Sequence, residues 1–169
     1  MMTSLAHSRR FLVRAALIMA FLPVGLSARA ADSPDAAKNH TAMSALQAEL
    51  AKLGKPKLEG EKLFFGSAAV NGDFTIVDAL KAKYGCSATL FVKKGDAFVR
   101  VSTNVMKEGK RAVGTPLDPS GPAYAAVSKD KVFYGVVDIL GKLFDTGYEP
   151  IKNAAGEVVG AYYVGYALE

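Results

Sequence analysis

The feature that most limits how this chain can fold is the arrangement of its strand patterns. Residues 86–93 and 97–103 are rich in Val, Phe and Thr, and the Lys94-Gly95-Asp96 turn between them predicts a hairpin. Three more strand patterns follow, at residues 132–140, 143–152 and 158–166. Antiparallel hairpins on both sides of residues 104–131 predict an α+β domain with one five-stranded antiparallel sheet.

Two helix patterns precede these strands. In residues 42–53, Leu46, Leu50 and Leu53 recur at helical spacing, and Gly54 ends the pattern. A second apolar stripe lies between the Asn71-Gly72-Asp73 turn and the helix-ending Gly85: Ile76, Val77, Leu80 and Tyr84. Residues 62–65, between the two helices, are predicted to form a short extended piece.

The stretch between the second and third strands of the predicted sheet is rich in glycine and proline. Six such residues fall within residues 104–123: Gly109, Gly114, Pro116, Pro119, Gly121 and Pro122. Residues 124–128 then favour a short helix. Long loops without regular structure are uncommon in compact domains unless they have a function. This crossing is therefore the first place where we expect a binding site.

The first 30 residues have the pattern of a cleavable signal peptide. Arg9, Arg10 and Arg14 precede an apolar core at residues 15–26, and Ala28-Arg29-Ala30 is a typical cleavage motif. A membrane span needs about 20 apolar residues, so this core is short for an anchor. An uncleaved anchor and twin-arginine export are the alternatives. We expect a flexible lead-in at residues 31–41 and a single domain at residues 42–169.

Removal of the leader changes the charge of the chain. The full sequence has 21 Lys and Arg against 16 Asp and Glu, and a formal charge of +5. Four arginines and no acidic residues lie in residues 1–30, so the mature chain has 17 basic residues against 16 acidic ones. This near balance argues against nucleic acid or an anionic membrane surface as the partner.

Catalytic and cofactor chemistry find little support in the sequence. Cys86 is the only cysteine, so no intramolecular disulfide can form, and a buried core position is the favoured interpretation of this residue. His40 is the only histidine beyond the leader, which excludes the usual Cys/His zinc sites and a Ser-His-Asp triad. We expect no cofactor, no metal and no enzymatic activity.

Several stretches together resemble the single Cache domains of the Cache 3/Cache 2 fusion type. In order, they are Asn71-Gly72-Asp73 with Val77-Asp78, residues 88–91, 100–105 and 109–115, Tyr134-Gly135, and residues 148–151 and 156–160. These domains are PAS-like extracytoplasmic sensor modules of bacterial chemoreceptors and histidine kinases. The resemblance implies a PAS-like five-stranded antiparallel sheet and a periplasmic location. It also implies a small organic ligand, often a carboxylate, bound between the sheet and the loops that cross it.

Two arginines are the first candidates for binding such a carboxylate. Arginine offers a planar fork of donors that replaces the hydrogen bonds a carboxylate loses on burial. Beyond the leader the chain has only two arginines, Arg100 and Arg111, against 15 lysines, and both lie in family-like stretches. Strand alternation predicts that Arg100 shares a face with Phe98, Ser102 and Asn104, opposite Thr103. The alternatives are a surface position or a structural ion pair for Arg100, and a solvated turn position for Arg111.

Five further residues complete the predicted ligand site. Tyr134 and Tyr148 could contact a ligand, although buried tyrosines more often belong to the core. Lys142 is a weaker carboxylate partner, and Thr103 and Thr115 could donate hydroxyl hydrogen bonds. Two functions remain open. One is a secreted sensor domain that binds a small organic acid and reports to a separate membrane receptor or kinase. The other is a protein-interaction module of the same fold, with no small ligand and with its pocket filled by Phe91, Phe98 and Tyr134.

Overall fold

The computed structural model describes Ser33 and residues 35–168. The predicted signal peptide at residues 1–30 and its cleavage site lie outside these residues. Across the described part of the chain, no helix is long and apolar enough to cross a membrane.

The first helix begins earlier than the sequence pattern predicts. Helix α1 covers Ala36–Ala51, so the prediction of a flexible lead-in is wrong for residues 36–41, which are helical. Contacts distant in sequence hold this first turn against the sheet. The backbone N–H of Asp35 donates to Oδ2 of Asp145 at 2.6 Å, and the His40 ring stacks on Tyr134 with centroids 4.0 Å apart. The polar composition of residues 36–41 gave no indication of these tertiary contacts.

The remaining elements include those predicted, in the predicted order, and four short strands that the sequence patterns do not predict. Three short strands come after α1: β1 (Pro56–Glu59), β2 (Lys62–Phe65) and β3 (Ala68–Ala69). Then come α2 (Thr75–Tyr84), β4 (Ser87–Lys94), β5 (Ala97–Thr103), β6 (Met106–Lys107), β7 (Lys110–Arg111), α3 (Pro122–Val127), β8 (Phe133–Ile139), β9 (Lys142–Lys152) and β10 (Val158–Ala167). Gly85 ends α2 in the left-handed conformation, at φ 71°, which confirms the predicted stop.

Five of these strands form the predicted antiparallel sheet. Their spatial order is β5-β4-β10-β9-β8, so the last strand of the chain lies in the centre, between the two hairpins. β1, β2 and β3 form a separate small sheet, and β6 pairs with β7. The five-stranded antiparallel sheet with its N-terminal helices and long β5–β8 crossing confirms the α+β fold class.

Each face of the large sheet has its own hydrophobic core. On one face α1, α2 and the small sheet pack against the strands, with Leu46, Leu50, Val77 and Leu90 among the completely or almost completely buried side chains. On the other face the crossing and α3 enclose a second hydrophobic cluster. Five further buried residues complete this cluster around its main members, which are Phe91, Phe98, Leu117, Val127, Tyr148 and Tyr163. The predicted crossing therefore forms the second layer of the domain.

A β-bulge overturns the predicted alternation along β5. Leu90 pairs with Ser102 and Phe91 pairs with Arg100, so Val101 is an extra residue in the ladder. Ser102 and Asn104 consequently bind the α2 side, where Asn104 Nδ2 donates to the Val77 carbonyl at 2.6 Å. Arg100 lies on the opposite face, where its guanidinium covers the Phe91 ring. The prediction that Ser102 and Asn104 share the face of Arg100 is wrong.

Candidate functional site

A cavity of about 340 Å³ lies between the sheet and the crossing. Its floor is formed by β8 and by Tyr148 of β9, and its opposite wall is formed by residues 116–118 and the start of α3. Cavities of 300–1,000 Å³ are typical of small-ligand sites. The location agrees with the sequence-based expectation that the crossing helps to form a site.

Arg100 is the buried cation of this cavity. Its side chain is almost fully buried, with 5 % of the residue exposed. Nη1 donates to Thr115 Oγ1 at 2.8 Å and to the Pro116 carbonyl at 3.3 Å. Nε is buried without a hydrogen-bond partner, and no carboxylate among the described residues forms an ion pair with the guanidinium. Burial lowers the pKa of Arg100, because the charged form has lost hydration.

The crossing segment brings these partners to Arg100 by pairing along the free edge of β5. The Arg100 N–H donates to the Thr115 carbonyl at 3.0 Å, and Gly114 N–H donates to the Arg100 carbonyl at 2.8 Å. Val99 and Pro116 form an isolated antiparallel bridge. The crossing therefore covers an edge strand and positions the donors and acceptors around the guanidinium.

Tyr148 forms the inner wall of the cavity and is backed by Tyr163, whose ring is tilted by 47° against it. The two ring centroids lie 4.9 Å apart. The Tyr163 hydroxyl lies 2.9 Å from Ser87 Oγ, whereas the Tyr148 hydroxyl has no hydrogen bond to the described residues. Burial raises the pKa of both tyrosines, so both hydroxyls stay protonated at neutral pH. Tyr148 can therefore donate a hydrogen bond to a bound molecule.

Two carboxylates lie at the outer rim of the same cavity. Asp118 and Asp138 are both exposed, and both accept hydrogen bonds from nearby backbone groups. Asp118 Oδ1 accepts from the N–H and the hydroxyl of Ser120, and Asp138 Oδ1 accepts from the Gly141 N–H at 2.8 Å. The cavity is thus cationic at its buried end and acidic at its rim.

Only one of the two predicted threonines contacts Arg100. Thr115 is its direct partner, and the Thr115 hydroxyl also donates to the Ala112 carbonyl at 2.7 Å. Thr103 is on the crossing face because of the bulge, but its hydroxyl is 2.6 Å from that of Thr89 and accepts from the Val105 N–H. Thr115 therefore orients the guanidinium, whereas Thr103 is occupied within the strand pair.

The other predicted arginine lies outside this cavity. Arg111 forms two hydrogen bonds with Asp78 of α2, at 2.9 and 2.8 Å, and its guanidinium lies 4.2 Å from the Phe74 ring centroid. These hydrogen bonds raise the pKa of Arg111. Its Nη1 also donates to the Thr103 carbonyl at 2.8 Å. In this arrangement Arg111 ties the β6–β7 hairpin to α2.

Tyr134 and Lys142 also lie away from the Arg100 cavity. The Tyr134 hydroxyl donates to Glu149 Oε1 at 2.6 Å on the α1 side of the sheet, where Gln47 Nε2 donates to Glu149 Oε2 at 2.7 Å. Lys142, at the start of β9, lines a second cavity at the end of the sheet. The structure therefore brings together Arg100, Thr115 and Tyr148 of the seven predicted residues.

Sequence reasoning missed most of the apolar lining and the acidic rim. Leu117, Ala123, Val137 and Ile139 provide the apolar walls. The sequence patterns predict the crossing and the β8 strand in which these residues lie. No local signal indicates that the two segments face each other. The approach of distant segments is a property of the tertiary fold.

The sheet order, with helices on one face and a long crossing over the other, defines a PAS-like domain. The chain belongs to the Cache 3/Cache 2 fusion domain family, whose model matches residues 27–169. Cache domains are extracytoplasmic sensor modules that bind small ligands and are not known as enzymes.

Comparison with solved structures gives distant likenesses. The sensor domain of DcuS from E. coli has a TM-score of 0.46 and 13% sequence identity, covering 76% of this chain and 90% of that domain. A candidate transcriptional regulator from Rhodococcus sp. RHA1 has a TM-score of 0.40 and 16% identity, covering 71% of each chain. A search of curated proteins gives no match.

Proposed function

We propose that this Cache domain binds a small organic acid in the Arg100 cavity. The observation that carries the proposal is a buried guanidinium with an unpartnered Nε and no counter-charge among the described residues. A buried charge of this kind is costly unless another group compensates it. A carboxylate bound between Arg100 and the Tyr148 hydroxyl would supply both the counter-charge and the missing hydrogen bonds.

The acidic rim narrows the class of ligand. Asp118 and Asp138 would repel a second carboxylate that extended from Arg100 towards the opening. They would attract a cationic group in the same position. The favoured ligand is therefore a monocarboxylate whose far end is neutral or cationic, such as an amino acid, rather than a dicarboxylate.

Thermal-shift measurements on the purified protein would test this ligand class. We expect a suitable monocarboxylate or amino acid, added at about 100 times its Kd, to stabilise the fold by about 2.7 kcal/mol and raise Tm by several degrees. The matched dicarboxylate of similar length should give a smaller shift. The binding proposal is wrong if no organic acid raises Tm, and the ligand class is wrong if dicarboxylates give the largest shifts.

The interaction-module function requires this face of the sheet to be filled by the protein's own side chains. Phe91 and Phe98 are completely buried in the second core, as that function requires. Tyr134, however, lies on the opposite face against Glu149, and about 340 Å³ of space remains beside Arg100. The open cavity favours ligand binding over the interaction module.

We further propose that the domain is exported to the periplasm and reports ligand binding to a membrane receptor or kinase. The leader pattern at residues 1–30 and the extracytoplasmic location of Cache domains support this proposal. Intact-mass analysis of the exported protein is expected to give the mass of a chain that begins at Ala31. A mass that retains residues 1–30 would contradict cleavage and favour the membrane anchor.

A further inference from the structure

A second cavity lies at the end of the sheet nearest the β8–β9 turn. Its volume is also about 340 Å³, and it is formed by the end of α2, the first residues of the crossing and the start of β9. The lining includes Val105, Met106, Leu140 and Phe144. These side chains give the cavity an apolar part of its wall, and Ser87 and Asn104 add polar groups.

The charges of this second cavity are all positive. Lys81 of α2 and Lys142 of β9 both line it, and no acidic residue in the described part of the chain does. Both lysines are exposed, and neither forms an ion pair with another described residue. The Arg100 cavity has the opposite balance, with one arginine and two aspartates. Two unpaired ammonium groups beside an apolar wall match a ligand that has an anionic head and an apolar body.

The β8–β9 turn holds an apolar side chain at this opening. Leu140 has a φ of 56°, a backbone conformation that disfavours any residue with a Cβ atom, and its side chain is 43 % exposed. Gly141, with a φ of 86°, completes the two-residue turn. Leu140 and Ile139 line both cavities, so the turn forms a shared wall between them. Positive φ at both Leu140 and Gly141 is the geometry that a two-residue type I′ hairpin turn requires.

We propose that the second cavity is a separate binding site for a small amphiphilic organic anion, with Lys81 and Lys142 contacting the anionic head. The apolar body lies against Met106, Leu140 and Phe144. The proposed organic-acid site at Arg100 does not depend on this second site. A ligand at either site contacts the Leu140 turn, so the occupancy of one site can alter the shape of the other.

Isothermal titration with octanoate tests the second site, because octanoate combines one carboxylate with an apolar chain. We expect octanoate to bind the purified protein at least 10 times more tightly than acetate. Octanoate also belongs to the class of acids proposed for the Arg100 cavity, so the second site is measured in the Arg100→Met protein, in which octanoate binding should persist. Adding Lys81→Gln/Lys142→Gln to Arg100→Met should weaken that remaining octanoate binding about 10-fold. The matched control Lys62→Gln/Lys131→Gln, added to the same Arg100→Met protein, removes two exposed lysines outside the cavity and should leave the affinity unchanged.

Four results would overturn the proposal. Octanoate could fail to bind, or it could bind equally well after Lys81→Gln/Lys142→Gln is added to Arg100→Met. It could also lose its affinity in Arg100→Met, which would place it in the first cavity and support the organic-acid site instead. Loss of octanoate binding in both lysine double variants would indicate a general charge effect and would likewise contradict a defined site.

Discussion

Replacing Arg100 with methionine is expected to leave the free energy of unfolding within about 1 kcal/mol of the parent value, or to increase it. This expectation is unusual, because the replacement of a residue that is only 5 % exposed normally lowers the free energy of unfolding. The guanidinium is largely buried, and among the described residues it makes hydrogen bonds only through Nη1, while Nε is buried without a partner there. Methionine has a similar length, fills irregular space and can pack on the Phe91 ring. Urea denaturation of the ligand-free protein measures the difference.

The same variant should lose ligand affinity. Hydrogen bonds to a charged partner contribute about 1.5–3 kcal/mol, so Arg100→Met should weaken binding of the best acid from the thermal-shift series by about 100-fold. Arg111→Gln is the matched control, because it removes an arginine that pairs with Asp78 outside the cavity. Its affinity for the acid should remain unchanged. A large loss of stability in Arg100→Met with retained affinity would mean that Arg100 has a structural role and would contradict the proposed binding role.

Replacing Gly160 with alanine is expected to destabilise the fold by about 3 kcal/mol or more. A Cβ atom at this position would lie 2.2 Å from the Phe91 carbonyl oxygen, which belongs to the backbone of the neighbouring strand. β10 pairs with both β4 and β9 in the centre of the sheet, so neither neighbour can move away without breaking a ladder. Chemical denaturation followed by circular dichroism measures the loss.

Gly95→Ala separates this steric effect from the general cost of replacing glycine. Gly95 lies in the β4–β5 turn at φ 57°, and a Cβ atom there would meet no atom within 4 Å. Its replacement should therefore cost only about 1 kcal/mol, for the left-handed backbone conformation. If Gly160→Ala costs no more than Gly95→Ala, the close approach of β10 to β4 is not as the structure describes it.

Local patterns were sufficient for the elements of the large sheet because each strand and turn has its own signal. The predicted boundaries of β5 at residues 97–103 are those observed, and Gly85 ends α2 as expected. Alternation with a period of two failed only where Val101 adds a residue to the ladder. A bulge depends on how two strands pair, so β5 alone contained no signal for it.

The candidate site also combines a feature that the sequence predicts with contacts that only the tertiary structure determines. Arginine chemistry and the position of Arg100 in a family-like stretch were sufficient to select it from the sequence. Arg111 had equal support, yet it pairs with Asp78, a residue 33 positions earlier in the chain. The partners of each guanidinium depend on which distant segments meet, and local sequence does not contain that information.

The sequence alone determined the α+β class, the order of the strands along the chain and the position of the Gly- and Pro-rich crossing between them. These features follow from periodicity, turn residues and composition, which act over a few neighbouring residues. The tertiary structure decided that the crossing pairs along β5, that Arg100 is buried without a counter-charge from the described residues, and that Lys142 lines a different cavity. Burial and charge pairing are relations between segments far apart in the chain, so they are established only when the two layers pack on the sheet.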